Sequence, residues 1–207
     1  MRAKILIFAI LTFTVMANAQ TSKKMNNKKN TETATFANGC FWCTEAIFQQ
    51  LDGVKKVTSG YTGGKTKNPT YNEVVTGKTG HAEAIQIKYN PEKISYLELL
   101  EVFFSTHDPT TLNRQGYDVG TQYRSAIFYH SNSQKQQAEA FIKALIKAKA
   151  FDKPIVTEID EMKKFYIAEN YHQNYYNNNK TKGYCTIVIN PKLEKFKKDF
   201  KAKLKQK

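Results

Sequence analysis

Residues 32–51 read ETATFANGCFWCTEAIFQQL, and two periodicities meet in them. Glu32 to Ala37 alternates weakly, as a strand does, and stops at Asn38-Gly39. Cys40 to Leu51 carries Ala46, Ile47, Gln50 and Leu51 at helical spacing and stops at Asp52-Gly53. A strand that turns through a glycine into a helix opens an α/β arrangement, and two cysteines stand at the turn.

The rest of the chain keeps the alternation. Val54 to Tyr61 repeats Val54, Val57 and Tyr61 imperfectly and breaks at Gly63-Gly64. Asn68-Pro69 signals a turn, with a short helix over Thr70 to Val75. His81 to Tyr89 alternates cleanly, which sets Glu83 on the same strand face as Ile85 and Ile87. Ser95 caps a helix through Phe104, Ser125 to His130 is a strand, Ser133 to Lys149 an amphipathic helix, and Ile155 to Ile159 another strand. Thr186 to Ile189 reads as a short apolar strand, followed by a lysine-rich helix from about Lys192. Without repeats or a splitting linker, this predicts one α/β domain over residues 31–207. The stretch 106–124 is aperiodic and long enough to mark a functional loop.

The ends are of another kind. Arg2 and Lys4 precede an apolar run from Ile5 to Met16 and an A-x-A site at Ala17-Asn18-Ala19, the pattern of a secretory signal peptide over residues 1–19. The run is shorter than the roughly 20 residues a membrane span needs, and no transmembrane segment is expected after cleavage. An exported, periplasmic or secreted protein is expected. Residues 20–30, with Lys23, Lys24, Lys28 and Lys29, read as a disordered basic leader.

The net charge of +14 is concentrated in these ends and in the eight lysines from Lys192 onward; residues 30–191 carry a net charge of only +2. A basic face for specific nucleic-acid binding is therefore not expected, and the lysine-rich tails read as solvated or as weakly attached to an anionic surface.

Three cysteines, Cys40, Cys43 and Cys185, remain after signal cleavage, an odd number that points to a reactive thiol over a purely structural disulfide framework. Cys40 stands where a helix start favours a thiolate. Cys-x-x-Cys also fits a thioredoxin-like dithiol exchange protein using Cys40 and Cys43. Half of a zinc site is a weaker match, since Cys185 and His172 lack metal-type spacing. Glu83, on an apolar strand face, would keep its proton to higher pH if buried and could serve as a general acid; on an edge strand it would face water.

Five blocks then resemble, in order, the peptide methionine sulfoxide reductases of the A type. They are Gly39-Cys40-Phe41-Trp42-Cys43-Thr44-Glu45; Gly60-Tyr61-Thr62-Gly63-Gly64 with Asn68-Pro69-Thr70-Tyr71; Thr79-Gly80-His81-Ala82-Glu83; His107-Asp108-Pro109-Thr110-Thr111 through Asp118 to Ser125; and Ala168-Glu169-Asn170-Tyr171-His172-Gln173.

The resemblance implies a two-layer α/β (α+β) sandwich on a mixed sheet, of ferredoxin-like plait type, with an irregular C-terminal segment. It implies that Cys40 attacks the sulfoxide sulfur, that Phe41 and Trp42 hold the S-methyl group, and that Glu83, Tyr71 and Tyr123 act on the sulfoxide oxygen. Asp118 and His172 would support the substrate site. Cys185, in a segment expected to be mobile, would resolve the Cys40 sulfenic acid. Cys43, where many members carry glycine, would exchange with that bond or resolve directly. No metal or organic cofactor is implied. The expected partners are oxidised methionine-containing proteins or peptides and an external thiol reductant such as a thioredoxin-like protein. A monomer is expected.

Overall fold

A computed structural model describes residues 31–206. The expected signal peptide (residues 1–19) and basic leader (residues 20–30) lie outside the described residues. The first elements are β1 (Glu32–Asn38), α1 (Phe41–Phe48), β2 (Val54–Thr62), α2 (Tyr71–Val74), β3 (Ala82–Tyr89) and α3 (Tyr96–Ser105). A small hairpin of β4 (Arg114–Gln115) and β5 (Asp118–Val119) precedes β6 (Ser125–Tyr129), α4 (Asn132–Lys147) and β7 (Glu158–Glu161). The chain closes with β8 (Tyr166–Ile167), α5 (Tyr175–Asn178) and α6 (Asn190–Asp199).

The main sheet runs β7-β6-β1-β3-β2-β8. Its centre, β6-β1-β3-β2, is antiparallel and is threaded by β1-α1-β2-β3-α3-β6, the connectivity of a ferredoxin-like plait. β7 joins β6 in parallel after α4, which makes the sheet mixed. One face carries Ala34, Phe36, Ile85, Ile87 and Ile127 into the main core with Phe48, Leu99 and Phe103 from α1 and α3. The other carries Ala37, Ala82, Ala84, Ala126 and Phe128 against Met162 and Phe165. α1 is apolar nearly all round, with only Trp42 left partly exposed, so it is a buried helix. α3 starts on a capping box, Ser95 with Glu98, that satisfies its first free N–H groups.

Two local expectations change. The strand expected over Ile155–Ile159 forms at Glu158–Glu161, because its parallel register pairs Ala126 with Glu158, while the Val156 N–H donates to the Pro109 carbonyl at 2.8 Å. Thr186–Ile189 is helical: Cys185–Ile189 forms a π-helical turn that runs into α6. Cys185 and Ile189 are buried four residues apart while Ile187 is 76% exposed, a helical division of faces that a short apolar run does not reveal by itself.

The lysine-rich end is docked. Leu193 and Phe196 of α6 are buried, and Lys203 Nζ reaches Glu98 Oε1 at 2.8 Å and Glu101 Oε2 at 3.1 Å. The Lys203 carbonyl accepts from the Asp52 N–H at 2.9 Å. The apolar contacts anchor this segment, since exposed ion pairs add little. Among the described residues no helix is long and apolar enough to cross a membrane.

Candidate active site

The site begins at the β1–α1 junction. Gly39 has φ +95°, a left-handed conformation that favours glycine, and a Cβ there would stand 2.7 Å from Gln115 Cβ. The hairpin of the 106–124 loop thus lies directly on the residue before Cys40. Cys40 is the N-cap of α1, which puts its thiol at the helix start; Phe41 and Trp42 form the first turn.

β3 supplies Glu83. It is 2% exposed on a central strand, so the edge-strand alternative does not apply. Burial raises its carboxyl to about 8, although the Phe41 N–H donates to Oε2 at 3.1 Å and offsets part of the shift. Glu83 is therefore a neutral acid at pH 7.

α2 supplies Tyr71 behind a capping box made by Thr70 and Glu73. Burial, with Glu83 and Cys40 nearby, raises the Tyr71 phenol to about 12. The 106–124 loop supplies Asp118 and Tyr123. Two hydrogen bonds tether it to the turn after α2: Thr121 Oγ1 donates to the Gly77 carbonyl at 3.0 Å and Gln122 Nε2 to the Val75 carbonyl at 3.2 Å. Burial also raises the Tyr123 phenol, so both phenols stay protonated donors.

These side chains meet in one cavity of about 180 Å³ lined by Cys40, Phe41, Trp42, Tyr71, Glu83, Asp118, Tyr123 and Tyr184. His172, Cys43 and Cys185 do not line it. His172 is buried behind the wall, where its Nδ1 accepts from Trp42 Nε1–H at 3.1 Å. Trp42 stacks on Tyr175 with ring centroids 3.6 Å apart and planes 5° apart.

The thiols form a sequence into the protein. Cys40 is partly exposed, and the Cys43 backbone N–H donates to its carbonyl at 3.2 Å, which sets Cys43 one helical turn on. Cys43 packs with Ala46, Cys185 and Ile189 in a small apolar cluster, so it lies between the cavity thiol and the late cysteine. Cys185 is 0% exposed in a helical turn, contrary to the mobile segment expected, because that turn buries it against α1.

The expected Cys40 thiolate also needs correcting. Burial, the hydrogen bond with Cys43 and the charge of Glu83 raise the Cys40 thiol well above its ordinary range, outweighing the helix start. Cys43 is lowered by the hydrogen bond from Cys40.

Several contributors carry no role in the sequence reading. Tyr184 closes the cavity, donates to Asp118 Oδ2 at 3.0 Å and lies 3.8 Å from Cys43 Sγ. Glu45 accepts from the Asn174 and Tyr175 backbone N–H groups at 2.9 and 3.2 Å and so holds the segment that stacks on Trp42. Its signal is a carboxylate inside the apolar helix FWCTEAIF, where a buried charge needs partners. Among the described residues no three His, Cys, Asp or Glu side chains converge as a metal ion would require.

Residues 32–204 match the family model described as peptide methionine sulfoxide reductase. The chain is 52% identical over 174 residues to the peptide methionine sulfoxide reductase MsrA of Natronomonas pharaonis, covering 84% of this chain and 98% of that protein. It is 55% identical over 174 residues to the MsrA of Deinococcus radiodurans, covering 84% of each. Among solved structures, the fold is similar to reduced Mxr1 of Saccharomyces cerevisiae, with TM-score 0.69, 35% identity and coverage of 75% of this chain and 90% of that one. It is also similar to methionine sulfoxide reductase A of Corynebacterium diphtheriae, with TM-score 0.66, 36% identity and coverage of 74% and 77%.

Proposed function

The chain belongs to the peptide methionine sulfoxide reductase family, and on that premise we propose how its cavity reduces methionine sulfoxide. The observation that carries the reading is that the Cys40 thiol and the neutral Glu83 carboxyl open on one cavity walled by Phe41 and Trp42.

The sulfoxide S-methyl group packs on Phe41 and Trp42. The oxygen points to Glu83, Tyr71 and Tyr123. A sulfoxide oxygen leaves sulfur poorly until it accepts a proton, and three protonated donors supply that proton and stabilise the developing charge. Protonation also makes the sulfur electrophilic and favours loss of the Cys40 thiol proton beside it. The Cys40 sulfur attacks the sulfoxide sulfur and a sulfur–sulfur bond forms, with the thiol proton passing to the sulfoxide oxygen. That oxygen then transfers as hydroxyl to the Cys40 sulfur, the substrate sulfur–oxygen bond and the sulfur–sulfur bond break, and methionine departs from a Cys40 sulfenic acid. Because the cavity walls are chiral, one sulfoxide epimer fits; membership of the family implies the S epimer, free or in proteins.

A thiol then attacks the Cys40 sulfenic sulfur. A disulfide forms, the sulfur–oxygen bond breaks, and water leaves with the thiol proton. Cys43 is the first partner, supported by its contact with Cys40, and Cys185 exchanges with that bond afterward. An external thiol reductant, such as a thioredoxin-like protein, returns the cysteines to thiols.

Residues 1–19 are proposed to direct export, with oxidised envelope proteins as substrates. The N-terminus of the protein recovered from the envelope fraction tests this; Gln20 is expected, and retention of residues 1–19 in a cytoplasmic product counts against it.

The activity test follows each epimer of a methionine sulfoxide peptide with a dithiol reductant. Wild type is expected to consume the S epimer and Cys40→Ser neither. Reduction of a disulfide substrate that does not depend on Glu83, with no epimer-selective loss of oxygen, would instead indicate a dithiol exchange protein.

A further inference from the structure

Glu169 lies outside the cavity and yet touches the supports of two of its walls. Its Oε1 accepts from the Tyr71 backbone N–H at 2.8 Å and its Oε2 from the Tyr61 hydroxyl at 2.8 Å. The same Oε2 stands 3.9 Å from His172 Nε2. Despite burial and through these contacts, the carboxyl is held below its usual range, so it is an anion at neutral pH.

His172 is the link to the second wall. Its Nδ1 accepts the Trp42 indole N–H at 3.1 Å, which requires that ring nitrogen to carry no proton. The proton of the neutral imidazole is then on Nε2. That atom is buried without a hydrogen-bond partner, and the carboxylate of Glu169 is the charge facing it. At 3.9 Å the contact is electrostatic and not a hydrogen bond. An anion beside Nε2–H favours the one tautomer that leaves Nδ1 free for Trp42. The imidazole ring also packs on Phe41 at 5.0 Å and on Tyr71 at 4.4 Å between centroids.

We propose that Glu169 is a positioning residue that orients both walls of the substrate cavity: Tyr71 directly through its backbone N–H, and Trp42 indirectly by holding His172 in the Nε2–H tautomer. His172 is the second positioning residue of this chain. The inference rests on the proposed methionine sulfoxide site, since Trp42 then sets the methyl pocket and Tyr71 the oxygen donor.

Trp42 is the only tryptophan in the chain, so its fluorescence reports on this network without substrate or turnover. Its emission separates failure of the network from failure of the proposed reaction. His172→Phe keeps an aromatic ring in the packing but removes the indole acceptor. His172→Asn keeps an acceptor near the Nδ1 position. Glu169→Ala removes both supports, and Glu169→Gln retains an acceptor oxygen without the charge.

His172→Phe is expected to shift Trp42 emission and raise KM about tenfold with a smaller fall in kcat, and His172→Asn to restore the emission toward wild type. Glu169→Ala is expected to shift emission and also lower kcat about tenfold, since Tyr71 loses its anchor. Glu169→Gln should fall between wild type and Glu169→Ala. Wild-type emission and kinetics in both His172→Phe and Glu169→Ala would overturn the proposal. So would equal losses in His172→Asn and His172→Phe, or losses that only follow the fraction unfolded by circular dichroism. A Glu169→Ala chain that does not fold leaves Glu169→Gln to decide, and a wild-type emission and KM there overturns the role of the charge.

Discussion

The Phe41 backbone N–H donates to Glu83 Oε2 at 3.1 Å, which ties the first helical residue after Cys40 to the buried acid. Burial wins over this hydrogen bond and leaves the carboxyl near 8. In the proposed mechanism the protonated form is the catalytic one, so turnover is expected to hold below pH 7 and to fall as pH rises through about 8. Glu83→Gln keeps an acceptor for the Phe41 N–H but has no acidic proton, and kcat should drop by about 10²–10⁴-fold with a flattened upper pH limb. A pH profile of kcat for both proteins, at saturating substrate and with the S epimer, checks this.

The same shift has a stability consequence with a definite sign. Glu83 is raised from 4.5 to about 8 in the folded chain, so the folded state binds more protons between those values. Unfolding free energy should therefore decline with rising pH across that window, by at most about 1.4 kcal/mol per unit from this group. Glu83→Gln lacks the slope. Denaturant unfolding of both proteins at several pH values from 5 to 8 measures the difference, and parallel curves would assign Glu83 an ordinary carboxyl.

Tyr71 and Tyr123 line the cavity with Glu83, and both phenols are held above their ordinary range by burial and by nearby Glu83 and Cys40. Replacing either by Phe removes one donor aimed at the developing oxygen charge. A fall in kcat of about 10²-fold is expected for each, with KM changed less, and without a new pH limb below 10. A fall confined to KM would mean that the phenol contacts substrate and transition state equally.

Gly39 and Gln115 make the contact that sets the 106–124 hairpin beside Cys40. Gly39→Ala adds a side chain at φ +95°, and its Cβ meets Gln115 Cβ at 2.7 Å. The conformational and steric costs together should destabilise the fold by about 2–3 kcal/mol. Because Asp118 and Tyr123 ride on the same loop, kcat should fall by more than the lost folded fraction explains. Denaturant midpoints and kcat of the folded fraction are the measurements.

One α/β domain is legible from pattern because its elements carry local signals, a Gly39 break between strand and helix, a Ser95 cap and a clean alternation in His81–Tyr89, whereas the plait is legible only through the family resemblance. The same alternation places Glu83 on an apolar face, and the central position of β3 in the sheet then buries it. What could not be read is tertiary. The elevated Cys40 thiol arises from burial and from Cys43 and Glu83, which outweigh the local helix start. Tyr184 reaches Asp118 across 66 residues, and His172 reaches Trp42 across 130. No periodicity encodes such pairs. The π-helical turn at Cys185–Ile189 is not legible because a short, mostly apolar run fits a strand and a buried helix equally well.

The order of the cysteines is where pattern and packing diverge most, and single-turnover disulfide mapping decides it. Cys43 follows Cys40 by one helical turn, its backbone N–H on the Cys40 carbonyl at 3.2 Å, whereas Cys185 is buried beyond Cys43 in a helical turn and does not line the cavity. After one turnover without reductant, Cys185→Ser is expected to contain a Cys40–Cys43 disulfide, and methionine release should proceed at the wild-type rate. Cys43→Ser should accumulate a Cys40 sulfenic acid that a dimedone-type reagent traps, because its remaining partner has to unwind first. Turnover with a dithiol should then fall about tenfold or more, while the first methionine is still released at full rate. A Cys43→Ser protein that forms Cys40–Cys185 at the wild-type rate, together with a Cys185→Ser protein that accumulates sulfenic acid, would return Cys185 to the position of first partner and leave Cys43 as a later exchanger.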